Sequence, residues 1–342
     1  MSADPKERSN GPDAVGEGPE VYRLAQSFSE SAARALIEAT LGSSVRTTQR
    51  NEVAGSHGVF FAETAEGEYV LRVATHPEHN LALELWAEAQ ARKAGVPVPE
   101  VLASVTDPPP GMPPFVIARR APGEAAHTAL LTPSDRAAVF EQLGRYAAKI
   151  HSVPIRRGFG ELRRLQRGGC VGMDRSLADA TQRDLMTLFG DLDRLTPTPL
   201  SRDHITELGL FHNVATRTAL NRPHAVLVHG DFRFKNVLVE SARVTAVLDF
   251  EMALAGDPAM DLAWTLHSDS RDEADREALL AGYEAEAPEG LGPRFEQRLA
   301  WYRLRYSLIE LWWAASFGEP EPALHRMEER IQSLKAALHQ PE

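Results

Sequence analysis

Regular patterning begins at residues 22–41, where apolar positions recur at helical spacing among good helix formers and predict a helix. A β-type stretch follows. Polar residues 49–53 lead into Gly55-Ser56-His57-Gly58 and Val59-Phe60-Phe61, and residues 68–73 predict the partner strand after the turn-prone Ala65-Glu66-Gly67. Leu81, Leu85 and Ala89 place a helix over residues 80–94, stopped by Gly95. Val96-Pro97-Val98-Pro99 must be extended, and Phe115-Val116-Ile117-Ala118 is a short buried strand. Beyond Pro122-Gly123 the period becomes helical over residues 134–151, 177–192, 203–220 and 294–317. Three short strands interrupt it, at residues 225–228, 237–239 and 245–248.

The expected class is α+β with two lobes, a small β-rich one and a larger, mostly helical one. The expected boundaries are a disordered tail at 1–19, an N-terminal lobe at 20–118, a hinge at 119–125 and a C-terminal lobe at 126–342. A chain of 342 residues is long enough for two such units.

Composition narrows the function classes. A net charge of −11 argues against a nucleic-acid face, and fits a cationic substrate and general solubility equally well. No apolar run approaches the roughly 20 residues of a membrane span, and the N-terminus lacks the apolar region of a secretory signal. The single cysteine, Cys170, permits no intrachain disulfide and suits a reducing cytoplasm. A lone thiol is expected to be structural.

The chemistry concentrates in residues 228–264, VHGDFRFKNVLVESARVTAVLDFEMALAGDPAMDLAW. Asp231 sits at the tip of one apolar strand, Asn236 follows five residues later, and Asp249 ends the next apolar run. That set suits Mg²⁺-dependent phosphoryl transfer. Asp231 can take a proton from an attacking hydroxyl, while Asn236 and Asp249 offer oxygen ligands to a hard cation against nucleotide phosphates. Arg233 is the candidate for developing charge on the transferred group, with Lys235 as an alternative. His229 is expected to brace the loop, Asp261 to tie down its backbone from a helix N-terminus, and Asp257 to do likewise. His151 is expected to be a packed or capping histidine. Upstream, the Gly55-Ser56-His57-Gly58 turn suits phosphate contact through backbone N–H groups. Arg72 is the strand cation, with Glu84, or else Glu88, as the carboxylate that holds it.

The string HGDFRFKN…VLDFEMALAGDPAMDLAW resembles the signature of the aminoglycoside phosphotransferase and choline kinase family, relatives of protein kinases in fold. The Gly55–Gly58 turn, Arg72, Glu84, Gly95-Val96-Pro97-Val98-Pro99 and Gly158-Phe159-Gly160 extend the resemblance over roughly residues 45–265. The resemblance implies a bilobal fold with ATP or GTP between the lobes and backbone groups near Arg119 and Ala121 on the base. It implies Asp231 as catalytic base and Asn236 and Asp249 as Mg²⁺ ligands. Arg72 stands where many members carry Lys, and Phe-Arg-Phe-Lys replaces the more usual Leu-His-Pro-Gly type insert; with Asp249-Phe250-Glu251 it resembles a broad bacterial branch of the family.

The expected function is a cytoplasmic small-molecule O-kinase, foremost one that inactivates an antibiotic at a sugar hydroxyl. The acidic stretch at residues 269–289 is a candidate attractor for a cationic drug. The alternatives are a metabolic kinase for choline, a sugar or a hydroxyacyl compound, and an inactive nucleotide-binding regulator.

Overall fold

A computed structural model describes residues 28–51, 57–75, 80–109, 111–165, 168–222, 224–287 and 290–338. The tail expected at 1–19 lies outside them, as does the start of the first predicted helix. The chain divides into two compact units, the described residues up to Leu85 with Val98–Pro122, and Trp86–Pro97 with those from Gly123 onward.

In the first unit, helix α1 spans Glu30–Leu41, capped by the Ser29 side chain and ended by Gly42 in the left-handed region. Five antiparallel strands, β1 (Thr47–Arg50), β2 (His57–Glu63), β3 (Glu68–Ala74), β4 (Val101–Val105) and β5 (Phe115–Arg119), form a sheet in the order β1-β2-β3-β5-β4. Alternation along β3 sends Tyr69, Leu71 and Val73 into the core with Phe60, Ile117 and the Ala33–Ile37 face of α1. The same alternation turns Arg72 to the other face. Helix α2 (Leu81–Lys93) begins in this unit, and its second half belongs with the next.

The second unit holds helices α3 (Pro133–His151), α4 (Leu177–Asp193), α5 (Arg202–Arg217), α6 (Ala259–Ser268), α7 (Glu273–Glu286), α8 (Phe295–Ser316) and α9 (Glu321–Leu338). Strand β6 (Glu124–Ala125) pairs with β11 (Val237–Glu240), which pairs with β12 (Arg243–Val247). A second sheet runs β7-β10-β13-β8-β9, with β7 at Pro154–Ile155, β8 at Phe159–Arg164, β9 at Cys170–Asp174, β10 at Ala225–Val228 and β13 at Leu254–Gly256. Helices α3 and α7 approach so closely that a Cβ on Gly144 would lie 2.0 Å from Leu279 O, and one on Gly282 would lie 2.0 Å from Glu141 O.

The strands expected at 225–228, 237–239 and 245–248 are present, but this unit carries more β structure than its pattern showed. The β8–β9 hairpin and β13 leave little trace in the sequence pattern for a physical reason. In β8 only Phe159 and Leu162 are buried, β9 has a glycine at its centre, and β13 is three residues long. None gives a readable alternation. The fold class is nevertheless the one expected, a sheet-rich N-terminal part and a helical C-terminal part.

Candidate active site

Strand β10 is buried along Ala225–Val228 and ends where the chain must turn sharply. Gly230 makes that turn at φ 84°, and a Cβ there would stand 2.1 Å from Met252 O, so no other residue fits without displacement. His229 braces the turn as expected: its Nδ1 accepts from Asp231 N at 3.2 Å and its Nε2 donates to Leu248 O at 2.9 Å. Asp261, buried in the first turn of α6, accepts from His229 N at 2.8 Å and Gly230 N at 2.9 Å. His151 is packed between Asp261 Oδ2, at 3.0 Å, and the Tyr283 hydroxyl, at 3.2 Å.

Asp231 is thereby presented on a fully braced loop. It is buried, and each of its carboxylate oxygens is engaged. Trp264 Nε1 donates to Oδ1 at 2.7 Å, and Asn236 Nδ2 donates to Oδ2 at 2.8 Å and to the Asp231 carbonyl at 2.9 Å. Arg233 Nε lies 2.8 Å from Oδ1 without the alignment of a hydrogen bond, so that contact is Coulombic. The Arg233 guanidinium also lies over the Trp264 ring, 5.1 Å from its centroid.

The Phe-Arg-Phe-Lys insert anchors the rest of the loop. Phe232 and Phe234 are buried, and Phe234 packs 4.8 Å from Phe140. Thr265 Oγ1 donates to Phe232 O at 2.6 Å, and Phe234 N donates to Asp269 Oδ2 at 2.8 Å. Burial pushes the Asp269 carboxyl up to about 6. Lys235 is half-buried at the end of the insert.

Asn236 closes the loop and opens β11. With Nδ2 turned to Asp231, its amide oxygen faces away from that carboxylate. Val237 pairs with Val247, and Leu248 N donates to Asn236 O at 2.8 Å, so Leu248 stands across from Asn236 and Asp249 is the next residue along. The hairpin between them turns at Ser241 and Ala242, both at positive φ, and Asp249 itself adopts φ 66°. A neutral amide oxygen and a carboxylate are hard donors that suit Mg²⁺ completed by water and phosphate oxygens. Among the described residues no cluster of three or more His, Cys, Asp or Glu side chains could hold a metal on protein ligands alone.

Asp257 does not tie down this loop. It accepts from Ala259 N at 3.2 Å and faces Arg298 Nε at 2.9 Å, both side chains being sealed from solvent. Its partner comes from α8, far along the chain, and no local pattern announced it. Trp264, Thr265 and Asp269 were likewise overlooked as loop anchors. Their only sequence signal is helical spacing on α6 downstream of Asp261.

In the first unit Arg72 and Glu84 form an ion pair, with Glu84 buried at 2% exposure. Glu84, the first of the two carboxylates expected to hold Arg72, is thus paired with it. Gly55 and Ser56 lie outside the described residues, and only the backbone of His57 is described, at the start of β2. Arg119 ends β5, its N–H donating to Glu100 O at 2.8 Å, and Ala121 follows half-buried. Cys170 is buried in β9, and burial pushes its thiol up to about 11, the opposite of nucleophile activation. No helix among the described residues is long and apolar enough to cross a membrane.

Comparison with known proteins agrees with this architecture. Acyl-CoA dehydrogenase family member 10 of Mus musculus is 26% identical over 227 residues, which is 61% of this chain. The chain spans 19% of that relative's length. The structure of a thermostable mutant of aminoglycoside phosphotransferase APH(4)-Ia, in a ternary complex with AMP-PNP and hygromycin B, matches at a TM-score of 0.63 and 21% identity. That match covers 88% of this chain and 98% of the other. The apoenzyme of macrolide 2'-phosphotransferase MphH from Brachybacterium faecium matches at a TM-score of 0.59 and 20% identity, covering 91% and 99%. At such identities the likeness establishes the fold. The family model of the phosphotransferase enzyme family matches residues 48–294, most of the chain and all of the loop just described. The chain belongs to the phosphotransferase enzyme family.

Proposed function

We propose that this chain is a cytoplasmic kinase that transfers the γ-phosphoryl group of ATP, or GTP, to a hydroxyl of a small molecule in the presence of Mg²⁺. The observation that carries this reading is Asp231, a buried carboxylate at a strand tip whose loop is tied down by Asp261, Thr265 and Asp269. A base fixed before substrate arrives loses little orientation on the way to the transition state. Oδ1 faces Trp264 and Arg233, whereas Oδ2 meets the neutral Asn236 amide and is the oxygen assigned to take the proton. The acceptor oxygen attacks the γ-phosphorus as its O–H proton passes to Asp231. The bond from that phosphorus to the β–γ bridging oxygen breaks, and the nucleoside diphosphate leaves with the electron pair. Arg233, beside the base, is assigned to charge on the transferring group.

Asn236 and Asp249 would hold Mg²⁺, which supplies positive charge to the nucleotide phosphates when bound. Arg72, fixed by Glu84, and the Gly55-Ser56-His57 turn are assigned to phosphate contact, and the backbone at Arg119 and Ala121 to the base. The AMP-PNP held by the APH(4)-Ia relative supports a nucleoside triphosphate as donor.

For the acceptor, the aminoglycoside and macrolide phosphotransferase relatives support an antibiotic hydroxyl. Three carboxylates of the acidic stretch have other work within the fold. Asp269, Asp272 and Asp275 are spent on Phe234 N, on the cap of α7 and on Arg136. A second reading, a hydroxyacyl acceptor, is favoured by the relative named for acyl-CoA dehydrogenase.

Purified protein with Mg-ATP and a panel of hygromycin B, a macrolide and short hydroxyacyl thioesters tests both, with mass detection of an added phosphoryl group. Phosphorylation of an antibiotic supports the first acceptor, and phosphorylation of a thioester replaces it with the second. Absence of any Mg-dependent ATP consumption that Asp231→Ala removes would sink the kinase reading itself.

A further inference from the structure

Helices α8 and α9 flank a half-open pocket of about 330 Å³ between the start of one and the end of the other. Glu296, Leu299, Ala300 and Arg303 form a helical stripe on α8, and Arg330, Ser333 and Ala337 face them from α9. Leu299, Ala300 and Ala337 give the cavity an apolar wall. The carboxylate of that wall, Glu296, is already committed to Arg276 at 2.6 Å, which also meets Glu273 at 3.1 Å.

Among the described residues Arg303 and Arg330 have no such partner. Arg303 Nε is buried without a hydrogen bond, and among the described residues neither guanidinium reaches a carboxylate or a carbonyl. Burial, with Arg330 and Arg276 nearby, outweighs the attraction of Glu296 and Glu273 and lowers the Arg303 pKa to about 10. A folded chain that keeps a half-buried, unpaired guanidinium beside like charges loses stability by it. A bound oxyanion would offset that loss, since each arginine presents a planar fork that matches a carboxylate or phosphate.

We infer that the α8–α9 cavity is a binding site for a small organic anion, a carboxylate or phosphate monoester carried on a short apolar body. Arg303 and Arg330 hold the oxyanion, and Leu299, Ala300 and Ala337 cover the apolar part. The volume sits at the lower end of the roughly 300–1,000 Å³ common for small-ligand pockets. None of the lining residues belongs to the Asp231 loop, so the site is independent of the kinase reading.

Calorimetry with pentanoate and butyl phosphate tests the inference, with 1-pentanol and pentylammonium as neutral and cationic controls of similar body. Saturable binding of either anion and of neither control is expected, and the tighter anion identifies which oxyanion the site takes. Arg303→Gln or Arg330→Gln should each weaken binding by roughly tenfold or more. Ser333→Trp, which fills the cavity without touching its charge, should abolish it. Without ligand, Arg303→Met should melt no lower than the parent, because it removes an unsatisfied charge. No saturable anion binding, or binding that survives both glutamine variants, would overturn the proposal. So would a lower Tm for Arg303→Met, since the guanidinium would then be satisfied within the fold.

Discussion

Of the chain's three Gly-Asp steps, 230–231 and 256–257 follow strands of one sheet, and the contrast between them separates the carboxylate proposed as base from one held for structure. They follow the C-terminal ends of β10 and β13, antiparallel partners that pair Val226 with Gly256 and Val228 with Leu254. The two aspartates therefore stand at opposite ends of one ladder. Each faces an arginine at similar range, Arg233 at 2.8 Å and Arg298 at 2.9 Å. The surroundings differ. Asp231 is met by residues of its own loop and by Trp264, and its pair keeps a thin edge of exposure. Asp257 and Arg298 are sealed, and the Arg298 guanidinium also donates to the carbonyls of Leu291 and Pro293. On the proposed reading a reactant meets the first pair, and the second is closed to solvent.

Asp231→Asn is the sharpest way to break the comparison. It keeps the shape and an acceptor for Trp264 but cannot take a proton, so kcat should fall by roughly 10²–10⁴. Its Tm should fall, though less than that of Asp257→Ala, because the new NH2 must face one of the two donors that Asp231 now satisfies, Trp264 Nε1 or Asn236 Nδ2. A rate within a fewfold of the parent, in a steady-state assay on the identified acceptor, would remove Asp231 as base.

Asp257→Ala should show the reverse pattern. It strands Arg298 in a sealed site, and breaking such a pair by removing one partner costs about 3–5 kcal/mol. Denaturant melts should record that loss. The double replacement Asp257→Leu with Arg298→Met should recover most of it, as apolar substitution of a whole buried pair usually does. If the single variant melts like the parent, the two Gly-Asp steps do not differ in the way argued.

Trp264→Phe tests what lends Asp231 its orientation. The phenyl ring can keep the stack on Tyr306, now 4.1 Å between centroids, but loses the N–H that reaches Oδ1. A hydrogen bond to a charged group contributes about 1.5–3 kcal/mol, so kcat should drop roughly tenfold to a hundredfold with KM little changed. An equal rise in KM with kcat intact would make Trp264 a binding residue instead.

These contrasts also explain what could be read from the sequence. Asp231, Asn236 and Asp249 were legible as a group because one strand, one short loop and one hairpin bring them together, and short apolar runs mark those elements plainly. Asp261 was legible because an acidic residue in a first helical turn has few other uses. Asp257 looked identical to it in local sequence, and its partner Arg298 arrives only through the packing of α8. Trp264 and Asp269 reach the loop for the same kind of reason, from one face of α6 and from its end. The β8–β9 hairpin stayed hidden because its exposed edge carries Arg and Glu where alternation would otherwise show. Its glycines are set by close packing that no local pattern records, since a Cβ on Gly158 would meet Gly172 O at 2.2 Å.

The smallest expected effect concerns a carboxylate between the two extremes. Asp269 touches the Asp231 loop through Phe234 N yet is buried enough that its carboxyl is pushed up from 3.8 to about 6. Between those values the folded chain binds more proton than the unfolded one, so this group's contribution to stability is full below about pH 4 and falls as pH rises through about 6. Asp269→Asn keeps an oxygen for Phe234 N and removes the charge that burial disfavours. The variant should match the parent near pH 4 and exceed it near pH 8 by ~1–2 kcal/mol, under the ~3 kcal/mol that the full shift would give. Urea melts at the two pH values check the sign. A variant less stable at the higher pH would mean that Arg233 and Arg136 hold the carboxylate more strongly than burial opposes it, placing Asp269 with Asp257 among the structural pairs.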